Sequence, residues 1–172
     1  RGTCILFGEG AAAIIMEAQE ESGTNDDRGI LLARIHSDGQ YTELLKTTGG
    51  ISSTMTAGVL TMVGKEIFRH ASSKMPASVE EGLQELSLSK DAIDWLVPHQ
   101  ANMRILTSVA QKLRIGEDKV ITTVAMHANT SAASIPLALH QAAQDGRIKK
   151  GDLIACPALG AGLTWGCILL RW

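Results

Sequence analysis

No charge of either sign dominates this chain. Lys and Arg number 16 against 18 Asp and Glu, giving a net charge of −2, with charged residues at 20% and hydrophobic ones at 45%. That balance excludes a disordered chain and gives no support for a broad nucleic-acid surface. No apolar stretch reaches the roughly 20 residues that a membrane-spanning helix needs, because Gly, Glu or Arg interrupts the longest candidates. Cysteine is scarce and odd in number. Cys4, Cys156 and Cys167 each fall in a strand-like run, which fits reduced, buried thiols of a cytosolic protein better than a disulfide framework. No His, Cys, Asp or Glu group has metal-ligand spacing, and no internal repeat is visible. No start methionine, signal peptide or transit segment precedes the first apolar run, so the chain is expected to be a fragment of a longer protein.

What is present is an alternation of apolar runs and helical patterns. Strands are expected over Thr3 to Gly8, Ala11 to Ala18 and Ile30 to His36, followed by a Gly-, Ser- and Thr-rich loop from Thr47 to Thr54 that suggests a mobile cover or an insertion. A helix is expected from about Ala57 to Lys74, ended or kinked by Pro76, with a second piece near Val79 to Leu86. Two strand-helix units follow: Ile93 to Val97 leading into Gln100 to Leu113, then Val120 to Val124 leading into Pro136 to Ala143, which Gly146 stops. Closing strands are expected at Leu153 to Cys156 and Trp165 to Arg171. The pattern is that of an α/β fold with a mixed, mostly buried sheet covered by helices. It puts His99 at a strand-to-helix turn and Asn129 just before a helix start, beyond strand carboxyl ends where ligands of α/β proteins collect.

The peptides around these two residues carry a resemblance. His99-Gln100-Ala101-Asn102-Met103-Arg104-Ile105, the run from His127 through Asn129 to Leu139, and Gly160-Ala161-Gly162-Leu163-Thr164-Trp165-Gly166 resemble the C-terminal half of β-ketoacyl-acyl-carrier-protein synthase III. The likeness extends from Thr3-Cys4-Ile5-Leu6-Phe7-Gly8 through Met62-Val63-Gly64-Lys65-Glu66-Ile67-Phe68 and covers nearly the whole sequence, whereas chalcone synthases and thiolases differ at these strings. The resemblance implies the C-terminal half of a thiolase-like fold, with a loop and helical insertion at about 40–88. It also implies that the nucleophilic cysteine lies on an N-terminal half absent here.

The family's reaction is a decarboxylative condensation of an acyl-CoA with malonyl-acyl carrier protein (malonyl-ACP), which initiates fatty-acid synthesis without a cofactor. By resemblance, His99 and Asn129 are the donors to the enolate oxygen. A neutral imidazole and a carboxamide offer N–H groups without adding a full positive charge. The backbone N–H of Ala161 is implied as part of the oxyanion hole. Gln100, Ala101, Asn102, Met103 and Arg104 are implied at the acyl carrier protein contact, and Met62, Gly64 and Phe68, with Ala101 and Asn102, along the pantetheine channel. The family acts as a cytoplasmic homodimer. Lys112 and Arg114 would extend the basic patch, although an ordinary solvated helix face fits them better. His127 would share a side with Asn129 at extended spacing and is read as structural. Cys156, with no helix to stabilise a thiolate, is read as a buried thiol. His36, His70 and His140 are expected at the surface. Two alternatives remain: a non-catalytic fragment that binds carrier protein or CoA, and a parent enzyme that primes polyketide-type or other secondary acyl chains.

Overall fold

The run Leu153-Ile154-Ala155-Cys156 is apolar at every position, so it needs cover on both faces. The computed structural model, which describes residues 3–172, supplies that cover. Strand β1 (Gly29–Ser37) is followed by a small hairpin of β2 (Leu45–Thr47) and β3 (Leu60–Met62), then by helix α1 (Gly64–Glu85). Next come β4 (Trp95–Leu96), α2 (Met103–Leu113), the single turn α3 (Val124–His127) and α4 (Ser134–Gln144). The chain closes with β5 (Leu153–Gly160) and β6 (Thr164–Arg171). The main sheet has the order β1-β6-β5-β4, antiparallel except for the β4/β5 pair.

Alternation along β5 divides the core. Leu153 and Ala155 join one cluster with Ile67, Ala71, Met75, Val79 and Leu83 of α1 and Ile105, Val109 and Leu113 of α2. Ile154 and Cys156 join the other, with Ala138, Leu139 and Ala142 of α4. Because strand side chains alternate and helical ones recur every three or four residues, each face meets a matching stripe. The product is a mixed sheet between helices, as expected.

Several boundaries differ from the sequence expectation. Thr3 to Leu6 form turns, and only Phe7 is strand-like, through a single parallel bridge to Asn129. Ala11 to Ala18 run exposed without a ladder partner among the described residues. The helix expected from Ala57 begins at Gly64 because Leu60, Thr61 and Met62 pair with Thr47, Lys46 and Leu45. Pro76 neither ends nor splits α1. It sits buried within 22 continuous helical residues, where the stripe Met75, Val79 and Leu83 offsets a Pro cost of about 3 kcal/mol. Val120 to Val124 is no strand: Val120 makes one bridge to Leu96, and Val124 already starts α3.

Cys4 is exposed, against the expectation of a buried thiol. His70 is buried, not at the surface, and packs on the Tyr41 ring at 4.3 Å. Desolvation, aided by Arg69 and Lys74, pushes its pKa below the usual histidine range.

Candidate active site

β4 and β5 are parallel, so their carboxyl ends open on the same side of the sheet. The loop after β4 runs beside β5, with the Val97 N–H donating to Ala155 at 2.8 Å and the His99 N–H to Pro157 at 2.9 Å. Gln100 then turns inward and is fully buried. Its Nε2 donates to the carbonyls of Pro98 (2.7 Å) and Ile121 (3.1 Å), and its Oε1 accepts the Thr123 N–H at 2.7 Å. This corrects the expectation of a carrier-protein contact. The Gln100 side chain is spent on fastening the His99 loop to the segment that leads to Asn129.

His99 Nδ1 lies 2.7 Å from the Ser134 hydroxyl, at the start of α4. The imidazole is largely desolvated, which lowers its pKa from the ordinary 6.5 to about 4, so it is neutral at pH 7. Nε2 makes no hydrogen bond among the described residues. Asn129 is held differently. Its backbone is clamped between the Leu6 carbonyl, which accepts its N–H at 3.0 Å, and the Gly8 N–H, which donates to its carbonyl at 2.9 Å. Its Oδ1 accepts the Ser131 N–H at 2.9 Å, fixing the amide so that Nδ2 remains to donate elsewhere.

A cavity of about 460 Å³ brings together His99, Asn129 and Ala161, and its wall also includes Met62, Ala101 and Asn102. Ile67, Ala71 and Met75 of α1 give it an apolar wall. Gly64 and Phe68, expected along the channel, do not line it: Gly64 is exposed at the start of α1, and Phe68 supports the Arg104 guanidinium at 5.2 Å from the ring centroid. Asn102 caps α2 by accepting the Ile105 N–H at 3.1 Å. Met103 and Arg104 point to solvent beside it, and Lys112 and Arg114 are exposed farther along.

His127 ends α3 and does not line the cavity, because Ala128 at φ 54° and ψ −157° turns the chain between it and Asn129. Its Nδ1 is buried with no hydrogen-bond partner among the described residues. Cys156 and Cys167 are buried in the sheet, and burial raises both thiols, Cys167 to about 12. Among the described residues no cluster of His, Cys, Asp or Glu could hold a metal ion, and no helix is long and apolar enough to cross a membrane. Sequence reasoning gave Ser131 and Ser134 no role. Their only signal was the polar start of a helix that follows Asn129.

Residues 83–172, which contain His99, Asn129 and Ala161, match the family model described as 3-oxoacyl-[acyl-carrier-protein (ACP)] synthase III C terminal. The chain belongs to this family. All 172 residues align at 52% identity with the β-ketoacyl-ACP synthase III of Dinoroseobacter shibae and at 54% with that of Rhizobium meliloti. In both cases the chain spans 53% of the relative's length, about half. Among solved structures, the 3-oxoacyl-ACP synthase III of Aquifex aeolicus superposes with a TM-score of 0.90 at 39% identity, over the whole of this chain and 52% of that one. This is the C-terminal half of the thiolase-like synthase III fold, a mixed sheet covered by helices, as the motif resemblance implied.

Proposed function

We propose that the chain supplies the decarboxylating wall of a β-ketoacyl-ACP synthase III, which condenses an acyl-CoA-derived acyl group with malonyl-ACP to begin a fatty-acid chain. The observation that carries this reading is that His99, Asn129 and the Ala161 turn line one cavity. Loss of carbon dioxide from a malonyl thioester leaves the electron pair of the broken C–C bond in an enolate, with negative charge on the thioester oxygen. Nε2–H of His99 and Nδ2–H of Asn129 donate to that oxygen. Neither group has to lose a proton or carry a charge at pH 7, since the imidazole titrates at about 4. The enolate carbon then attacks an acyl thioester held on a cysteine outside this chain, the Ala161 N–H donating to the oxyanion that forms, and collapse of that intermediate breaks the C–S bond, releasing the ketoacyl product and the cysteine as thiolate. No cofactor takes part.

The acidic carrier protein would meet the exposed pair Met103 and Arg104, with Ala101 and Asn102 facing the pantetheine arm beside Met62. In this reading the synthase is a cytoplasmic homodimer, and the present chain packs on its own N-terminal half. A polyketide-priming parent would use the same wall and differ in the acyl group accepted.

The test is a chimera carrying the N-terminal part of the Dinoroseobacter relative ahead of this chain. His99→Ala and Asn129→Ala should each lower malonyl decarboxylation by two or more orders of magnitude, about 3 kcal/mol, while acylation of the cysteine survives. His127→Ala should be far milder. If His127→Ala proves as damaging as Asn129→Ala in protein that folds and is acylated, the second donor is misassigned.

A further inference from the structure

Ser134 stands at the junction of two hydrogen bonds. Its Oγ accepts the backbone N–H of Gln100 at 3.2 Å and lies 2.7 Å from Nδ1 of His99. It is 2% exposed, and its hydroxyl has no other acceptor among the described residues. Counting hydrogens decides the arrangement. If Nδ1 carried the imidazole proton, Oγ would accept two bonds while its own proton, buried, had no acceptor. That would forfeit a bond worth about 1 kcal/mol or more. If Oγ–H donates to a bare Nδ1, every donor and acceptor at the junction is used.

We propose that Ser134 is a positioning residue that holds His99 as its neutral Nε2–H tautomer, with that N–H free to enter the cavity. Ser134 touches no reacting atom; it acts through the imidazole. Its effect has two parts. It chooses which nitrogen carries the proton, and by giving Nδ1 a donor it opposes formation of imidazolium, which would need Nδ1 protonated. The Gln100 N–H locks the hydroxyl rotor from the other side. The serine therefore couples the start of α4 to the His99 loop, just as Gln100 couples that loop to the Asn129 segment. The parallel with Asn129 is close: there the Ser131 N–H occupies Oδ1 and leaves the donating end of the amide free. In each case one tether satisfies the acceptor atom of the side chain and turns the donor outward. This inference rests on the donor role proposed for His99, but its primary test does not.

Nitrogen-15 chemical shifts of the imidazole in this chain report the tautomer directly. Wild-type protein at pH 7 should show His99 with Nε2 protonated and Nδ1 bare, as a single species. Ser134→Ala should give a mixture of tautomers and a higher His99 pKa, and Ser134→Thr, which keeps the hydroxyl, should restore the wild-type pattern. In the chimera, Ser134→Ala should lower the kcat for malonyl decarboxylation by about 10- to 100-fold with little change in KM, and Ser134→Thr should recover most of it. A wild-type spectrum with Nδ1 protonated would overturn the proposal without any variant, which covers the case of an unfolded Ser134→Ala protein. So would a Ser134→Ala protein that keeps the single Nε2–H form. Were the tautomer as expected but His99→Ala harmless to decarboxylation, the positioning by Ser134 would stand and the donor role of His99 would fall.

Discussion

At the scale of single residues, the site is specified less by His99 and Asn129 themselves than by the atoms that occupy their acceptors. A histidine and an asparagine are both donor and acceptor, and only the tethers from Ser134 and Ser131 give each a direction. His99 and Asn129, the donors proposed here, were legible as residue types in recognisable peptides, and the structure brings both to one cavity. Their tethers were not, because a serine at a helix start is equally a cap. Burial of the imidazole has a measurable price in acid. With a folded pKa of about 4 against 6.5 when unfolded, the unfolded state binds the extra proton between those values. The neutral His99 therefore contributes fully above pH 6.5, and stability is lost as pH falls from 6.5 through 4, by at most about 3 kcal/mol. Urea midpoints measured at pH 7 and pH 4.5 should converge less for wild type than for His99→Gln; equal acid sensitivity of the two proteins would exclude the effect. Ala128, at φ 54° and ψ −157°, holds a conformation that suits glycine. Ala128→Gly should relieve about 1–3 kcal/mol of strain, less the added entropy of the unfolded chain, and so raise stability by about 1 kcal/mol in thermal unfolding.

Elements that bury one clear face were easy to place, and those that depend on distant pairing were not. α2 and α4 follow from apolar spacing, β5 from a run covered on both sides, and β6 from an apolar run that packs Cys167 and Leu169 into the core. By contrast, Leu60 to Met62 look helical in isolation and become a strand only because Leu45 to Thr47 lie opposite. Pro76 misled for the opposite reason: local chemistry argues for a break, but the stripe along α1 continues on both sides of it. Val120 to Val124 has strand composition, yet the backbone donors of Ile121 and Thr123 go to the Leu96 carbonyl and the Gln100 side chain. The β1/β6 pairing makes a sharp demand of one residue. A Cβ on Gly166 would lie 2.1 Å from the Arg34 carbonyl oxygen, a backbone atom that can retreat only if β1 moves away. Gly166→Ala should cost more than about 2 kcal/mol, with hydrogen exchange rising along Gly29–Ser37 first. A variant as stable as wild type would mean that the close approach of these strands is absent in solution.

For the whole molecule, the informative surface is the one left uncovered. Ile5, Ile14, Ile15 and Met16 are 65–96% exposed, and Ile30 and Ile35 on β1 at the sheet edge are 52% and 77% exposed. Scattered apolar residues are ordinary, but these include a consecutive run in a segment with no ladder partner among the described residues and two residues on an edge strand, a combination that invites association. The isolated chain should therefore self-associate in sedimentation and bind a dye that reports apolar surface, and the chimera should do both far less. A monodisperse, dye-silent monomer would show that this surface needs no cover. The thiols lead to the complementary expectation for chemistry. Cys156 and Cys167 are buried with raised pKa values, and neither they nor Cys4 line the cavity. Donors can stabilise an enolate, but they cannot hold the acyl group that it must attack. Incubated with acyl-CoA and malonyl-ACP, the chain alone should form no ketoacyl product and gain no acyl mass on any cysteine. The chimera should do both, and acylation of Cys4, Cys156 or Cys167 with turnover by the chain alone would place the nucleophile within these 172 residues after all.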